Sequence, residues 1–177
     1  MGCSIDQQTI DKTKEFHGHW CPGLAIGIRV SELAMEKLNI TEAANPVCVV
    51  ETDMCAVDAI QYLTDCTFGK GNLVHKDYGK SGFTFYDRDS RKGFRALFRP
   101  DFPKSDNRET TIKRIMAAEL ADLFTIEEIT SPPVRPARIM ESITCDACGE
   151  LVMESRIRRF GGKFLCIPCF MKNEQKL

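Results

Sequence analysis

The chain has 177 residues, 43% of them hydrophobic, with 24 basic against 25 acidic side chains. That length suits one ordinary domain with a packed core plus a small appendage. A net charge of −1 excludes any general demand for nucleic acid or an anionic membrane as partner.

No stretch of about 18 apolar residues is present, and the opening MGCSIDQQTI lacks the basic-then-apolar pattern of a secretion signal, so a cytoplasmic protein without membrane contact is expected. Nine cysteines are many for a reducing compartment, where thiols bind metal or do redox chemistry more often than they pair.

In chain order, the first dense stretch is EFHGHWCPGLAIG, with His17, His19 and Cys21 on alternate positions. Pro22 suits the first turn of a helix through LAIGIRVSELAMEKL, because its missing N–H is not needed there. Cys21 then lies at a helix N-terminus, where exposed N–H groups favour thiolate over thiol. PVCVVE reads as a short buried strand, and Asp53 as the cap of a helix MCAVDAIQYLT. That helix places Cys55, Asp58 and Tyr62 along one face. LVHKDY, FTFYDR and FRALFR read as strands joined by GKSG and DSRKG turns, and RETTIKRIMAAELADLF as a last helix covering the sheet. The order of elements is α+β.

FGKGN, at Phe68 to Asn72, lacks the phosphate-binding loop pattern and reads as a tight turn, from which Lys70 and Asn72 can point into a nearby pocket. The basic run Arg88, Arg91, Lys92, Arg95 and Arg99 reads as a solvated hairpin face.

Three prolines in TSPPVRPAR stop both helix and sheet, which sets an expected core at 1–130, a linker at 131–140 and a tail domain at 141–177. In the tail, Cys145-x2-Cys148, seventeen residues, and Cys166-x2-Cys169 have the spacing of a four-thiolate structural zinc site. Gly161-Gly162 is a hairpin signal, and CFMKNEQKL reads as a helix. Knuckle, hairpin and helix together describe a treble-clef finger. The tail carries six basic and five acidic residues, a balance that argues against nucleic acid despite Arg156, Arg158 and Arg159.

The core offers its own donors, His17, His19, Cys21, Cys55, Asp58 and Cys66. Imidazole with thiolate favours zinc, iron, nickel or copper over magnesium. On residues alone, a metal-lined pocket stands beside a plainer reading in which the cysteines are small core hydrophobes and the histidines are solvated.

FHGHWCPGLAIGIR, CAVDAIQYLTDCTFGKGNL and DYGKSGFTFYDRDSRKGFR together resemble the FmdE family, named for formylmethanofuran dehydrogenase, over about residues 13–125. The resemblance implies a thioredoxin-like α+β core, a mixed sheet flanked by helices, with a C-terminal treble-clef zinc finger. It implies a homodimer and a transition metal (Zn, Fe or Ni) held by the His and Cys motifs. It also implies anaerobic one-carbon metabolism of the methanogenesis type, as accessory or redox protein to a molybdenum or tungsten dehydrogenase. Under it, His17, His19, Cys21, Cys55 and Cys66 are the metal or pocket residues of the core, with Asp58, Lys70 and Asn72 behind them. Asp65 departs from the pattern, standing where Gly is expected before Cys66. The rival expectation is a non-catalytic adaptor whose finger docks a partner protein or nucleic acid.

Overall fold

The computed structural model describes residues 2–39, 45–103, 105–134 and 139–174. The chain divides into two compact units, residues 1–136 and 137–177. The boundary falls inside the 131–140 stretch, of which 135–138 lie outside the described residues. Among the described residues no helix is long and apolar enough to cross a membrane.

The first unit is an α+β fold. Helix α1, Gln7–His17, begins at Asp6, whose side chain accepts from the Thr9 N–H. Helix α2, Pro22–Leu38, starts with Pro22 in its first turn and runs through the centre of the unit. Strand β1, Pro46–Val50, is followed by α3, Ala56–Thr64, then by strands β2, Leu73–His75, β3, Gly82–Asp87, and β4, Lys92–Phe98. Helices α4, Arg108–Ala117, and α5, Leu120–Leu123, precede β5, Phe124–Ile129. The five strands form one sheet in the order β2-β1-β3-β4-β5, with β1 and β2 parallel and every other pair antiparallel.

Three sequence expectations change here. The GKSG segment is no hairpin, because β2 and β3 flank β1 on opposite sides and the connection crosses over. Asp53 does not cap α3; Cys55 occupies the N-cap position and makes no side-chain capping bond. The last helix ends at Ala117, and its expected continuation is the edge strand β5. Arg29 helps to end it. This arginine is 1% exposed and donates to the Ala118 and Met116 carbonyls, at 2.6 and 3.4 Å, while its guanidinium pairs with Glu32 at 2.9 Å. Carbonyls at a helix end need partners, and a buried arginine supplies them.

The core lies between the sheet and the helices. Phe83, Phe85, Phe94 and Phe124 pack there with Ala25, Val30, Leu33 and Ala34 of α2 and Ile60 of α3. Each buried aromatic contributes about 2–3 kcal/mol of hydrophobic stabilisation. On the sheet, Arg95 donates to both carboxylate oxygens of buried Glu51, at 2.6 and 2.8 Å, so this member of the basic run is paired rather than simply solvated. The same guanidinium holds the Glu51 carboxyl below its usual value.

The close approach of α2 to α3 depends on Gly27. A Cβ there would lie 2.4 Å from the Ala56 carbonyl oxygen and 2.7 Å from its Cα, both backbone atoms that cannot move aside alone. Gly27→Ala is therefore expected to lower stability by about 3 kcal/mol despite the better helix propensity of alanine. Thermal unfolding checks this; an unchanged or higher midpoint contradicts the tight helix contact.

The second unit has two small hairpins and a helix. Strands β6, Ser142–Thr144, and β7, Leu151–Met153, carry the first cysteine pair in their turn, and β8, Ile157–Phe160, pairs with β9, Lys163–Cys166. Helix α6, Ile167–Glu174, closes the unit. Gly161 and Gly162 have φ of 57° and 78°, the left-handed pair that the two-residue turn requires. Only Cys145, Leu165 and Cys166 are buried in its core.

Candidate metal centre

Two sets of donor atoms converge, one in each unit. In the first, α1 brings His17 to its last position, and Gly18 then turns the chain with φ of 87° and donates back to the Lys14 carbonyl at 2.8 Å. The short extended link that follows sets His19 against His17, ring centroids 4.3 Å apart, and delivers Cys21 to the N-cap of α2. The Cys21 Sγ accepts from the Leu24 N–H at 3.3 Å. Cys55 arrives from the start of α3. Gly23 makes room for it, since a Cβ at that position would lie 3.2 Å from the Cys55 Cβ.

One nitrogen or sulfur from each of His17, His19, Cys21 and Cys55 lies within 4.8 Å of the others. Four donors around a zinc-sized ion would stand about 3.3–3.8 Å apart, given bond lengths near 2.0–2.3 Å. The 3.9 Å between Cys21 Sγ and His17 Nε2 is close to that edge. Cys21 is buried, His17 and Cys55 are half-buried and His19 is exposed, so one side of the cluster opens to solvent.

Asp58 stands behind the cluster. Its Oδ2 is 2.7 Å from His17 Nδ1, and Gln61 Nε2 donates to its Oδ1 at 3.4 Å. A carboxylate on Nδ1 keeps the proton there and leaves the Nε2 lone pair facing Cys21, the arrangement by which outer carboxylates orient metal-binding imidazoles. Without an ion, the Cys55 thiol is pushed above its usual value, first by burial and then by the hydrogen bond to Cys21. The depressed value expected from the helix N-terminus is not found at Cys55, whose side chain takes no capping N–H.

Three other expected residues lie elsewhere. Cys66 is fully buried in the main apolar core with Cys48, and burial pushes its thiol up to about 11, so it packs as a hydrophobe. Asp65, which precedes it, holds the left-handed C-cap of α3 at φ 58°, a position that Gly commonly fills and Asp tolerates. Lys70 pairs with the Asp65 carboxylate. The Asn72 side chain accepts from the Thr67 N–H at 2.9 Å and donates to the Pro46 and Asp65 carbonyls, at 3.2 and 3.3 Å. Lys70 and Asn72 thus fasten the loop after α3. Gly23 and Gln61 went unmarked in the sequence, because their roles depend on the α2–α3 contact.

In the second unit, Cys145, Cys148, Cys166 and Cys169 bring four Sγ atoms within 4.8 Å of one another, with Cys148 and Cys166 at 3.9 Å. The Cys166 N–H donates to Cys145 Sγ at 3.3 Å, and the Cys169 N–H to Cys166 Sγ at 3.4 Å. Backbone N–H groups, that of Cys166 foremost, draw the Cys145 thiol down to about 6, while the neighbouring Cys166 thiol pushes Cys169 up to about 12. Four soft donors with N–H groups aimed at the sulfurs suit a tetrahedral zinc ion.

Comparison with known proteins agrees with both units. Residues 16–132 match the family described as "FmdE, Molybdenum formylmethanofuran dehydrogenase operon", and residues 137–175 match the prokaryotic dksA/traR C4-type zinc finger. A curated relative from Archaeoglobus fulgidus, "Probable S-adenosyl-L-methionine-binding protein", is 31% identical over 89% of this chain. The chain spans about half of that relative's length, 51%. The crystal structure of an FmdE-like protein of tungsten formylmethanofuran dehydrogenase, from Syntrophus aciditrophicus, superposes with a TM-score of 0.71. That likeness covers 96% of this chain and 94% of the other at 23% identity, and it shows the shared fold.

Proposed function

The chain belongs to the FmdE family and carries a C4 zinc finger, and from that premise we propose that its core is a metal-binding accessory or redox module of anaerobic one-carbon metabolism. The single observation that supports this reading is the convergence of His17, His19, Cys21 and Cys55, from α1, α2 and α3, with Asp58 on the far side of His17. Two imidazoles and two thiolates fit zinc, iron(II) or nickel. A bound ion would supply Lewis acidity or, for a redox metal, electron transfer. His17, His19, Cys21 and Cys55 hold it, and Asp58 fixes the His17 tautomer. The exposed edge at His19 is where a small molecule or partner protein would reach it.

In this reading the module works as a homodimer beside a molybdenum or tungsten dehydrogenase of the formylmethanofuran type. The names of the matched family and of the similar structure motivate that setting.

Asp58→Ala is expected to weaken metal binding at the core about 10–100-fold without touching the finger, because removing the carboxylate frees the His17 ring and its tautomer. Chelator competition on the full chain measures both sites. An unaltered core affinity would exclude Asp58 as the residue that orients the ligand.

A further inference from the structure

At the end of the sheet where β3 turns into β4, a cavity of about 370 Å³ is lined by Tyr86, Arg88, Arg91, Thr130, Ser131 and Pro132. Its volume lies in the range of small-molecule sites, roughly 300–1,000 Å³. A Cβ at Gly93 would come within 2.6 Å of the Tyr86 ring and 2.8 Å of Ile129, so the Tyr86 ring is pressed onto β4 and held in place.

Arg88 sets this cavity apart from the rest of the basic run. Its Nε and Nη2 are both buried and neither has a hydrogen-bond partner. Those two nitrogens form one edge of the guanidinium, the edge that takes two oxygens of a carboxylate or phosphate side by side. The adjoining carboxylate cannot serve: Asp87 already accepts from the backbone N–H groups of Asn45, Asp89 and Ser90, at 3.2, 3.4 and 2.9 Å. An arginine does not escape by losing its proton, and a buried charged donor without an acceptor is costly. Arg91 adds a second cation, held in the left-handed region of the turn at φ 57°, and Thr130 and Ser131 bring two hydroxyls to the same cavity.

We propose that this cavity binds a small ligand through an oxyanion, a carboxylate or a phosphate, whose two oxygens take the Nε–Nη2 edge of Arg88. Arg91, Thr130 and Ser131 supply further donors, and Tyr86 and Pro132 receive the apolar body of the ligand. Because the two Arg88 nitrogens are shielded, seating the anion includes a rotation of the flexible arginine stem toward the cavity.

The test is thermal unfolding of the full chain with inorganic phosphate or with benzoate, each against sodium chloride of equal ionic strength. A saturable rise in the midpoint of about 5 °C is expected with at least one of the two anions, and which one answers identifies the headgroup. Arg88→Met should abolish the rise and, by removing an unpaired buried charge, leave the anion-free midpoint equal or higher. Arg91→Asn, which tolerates the turn's positive φ, should weaken anion binding about fivefold and gives a second test should Arg88→Met fail to fold. The proposal is overturned if neither anion stabilises the wild-type chain beyond chloride, or if either variant responds as the wild type does.

Discussion

Removing the bound metal from the full chain with a strong chelator is expected to unfold residues 141–174 while the sheet of the first unit remains folded. The second unit buries only Cys145, Leu165 and Cys166, with Val152, Cys169 and Phe170 packed partly against them. So small a core cannot offset the chain entropy of some 35 residues. Zinc held by four thiolates contributes about 10–16 kcal/mol of apparent binding free energy in such modules, and that energy is its folding energy. The first unit rests instead on a broad apolar core that includes Phe83, Phe85, Phe94 and Phe124. Hydrogen exchange should therefore lose protection in β8, β9 and α6 and keep it in β1, β3 and β4. Cys169→Ser should produce the same pattern without chelator. Persistent protection of β8 and β9 after complete metal loss would show that the finger folds on apolar packing alone.

The second large effect concerns the core cluster. Replacing Cys21 and Cys55 together by Ser is expected to reduce bound metal from about two ions per chain to about one, because serine is a far poorer ligand for zinc-like metals than thiolate. Cobalt reports on the same change: thiolate-to-cobalt absorption should fall by about a third, since two of six cysteine ligands are gone. Serine keeps nearly the volume of cysteine, so the α2–α3 contact through Gly23 and Gly27 should survive. If the double variant keeps the wild-type metal content, the four side chains are a hydrogen-bonded cluster and nothing more.

Much of this arrangement is legible in the primary structure where the signal is local. Pro22 and the apolar periodicity of α2, the continuous apolar run of β1, and the two Cys-x2-Cys knuckles each rest on neighbours a few residues away. What eluded a linear reading depends on distant partners. The last helix stops at Ala117 because Arg29, nearly ninety positions earlier, takes the Ala118 carbonyl, and β5 can then form beside β4. The crossover of β2 to the far side of β1 is likewise set by sheet pairing, which no turn motif encodes. Within the candidate site, His17, His19, Cys21 and Cys55 were marked by residue type and helix-end position. Cys66 carried the same chemical label, and only its burial beside Cys48 separates a packing thiol from a candidate ligand. Arg88 shows the reverse: a residue that reads as surface charge turns out to have two buried donors without an acceptor.

The most direct measurement is anomalous diffraction from a crystal of the full chain, recorded on both sides of the zinc, iron and nickel absorption edges. Two peaks per chain are expected, a zinc peak among Cys145, Cys148, Cys166 and Cys169 and a second transition-metal peak bounded by His17 Nε2, His19, Cys21 and Cys55. A single peak, in the finger alone, from protein purified with its native metals retained would contradict the core metal centre.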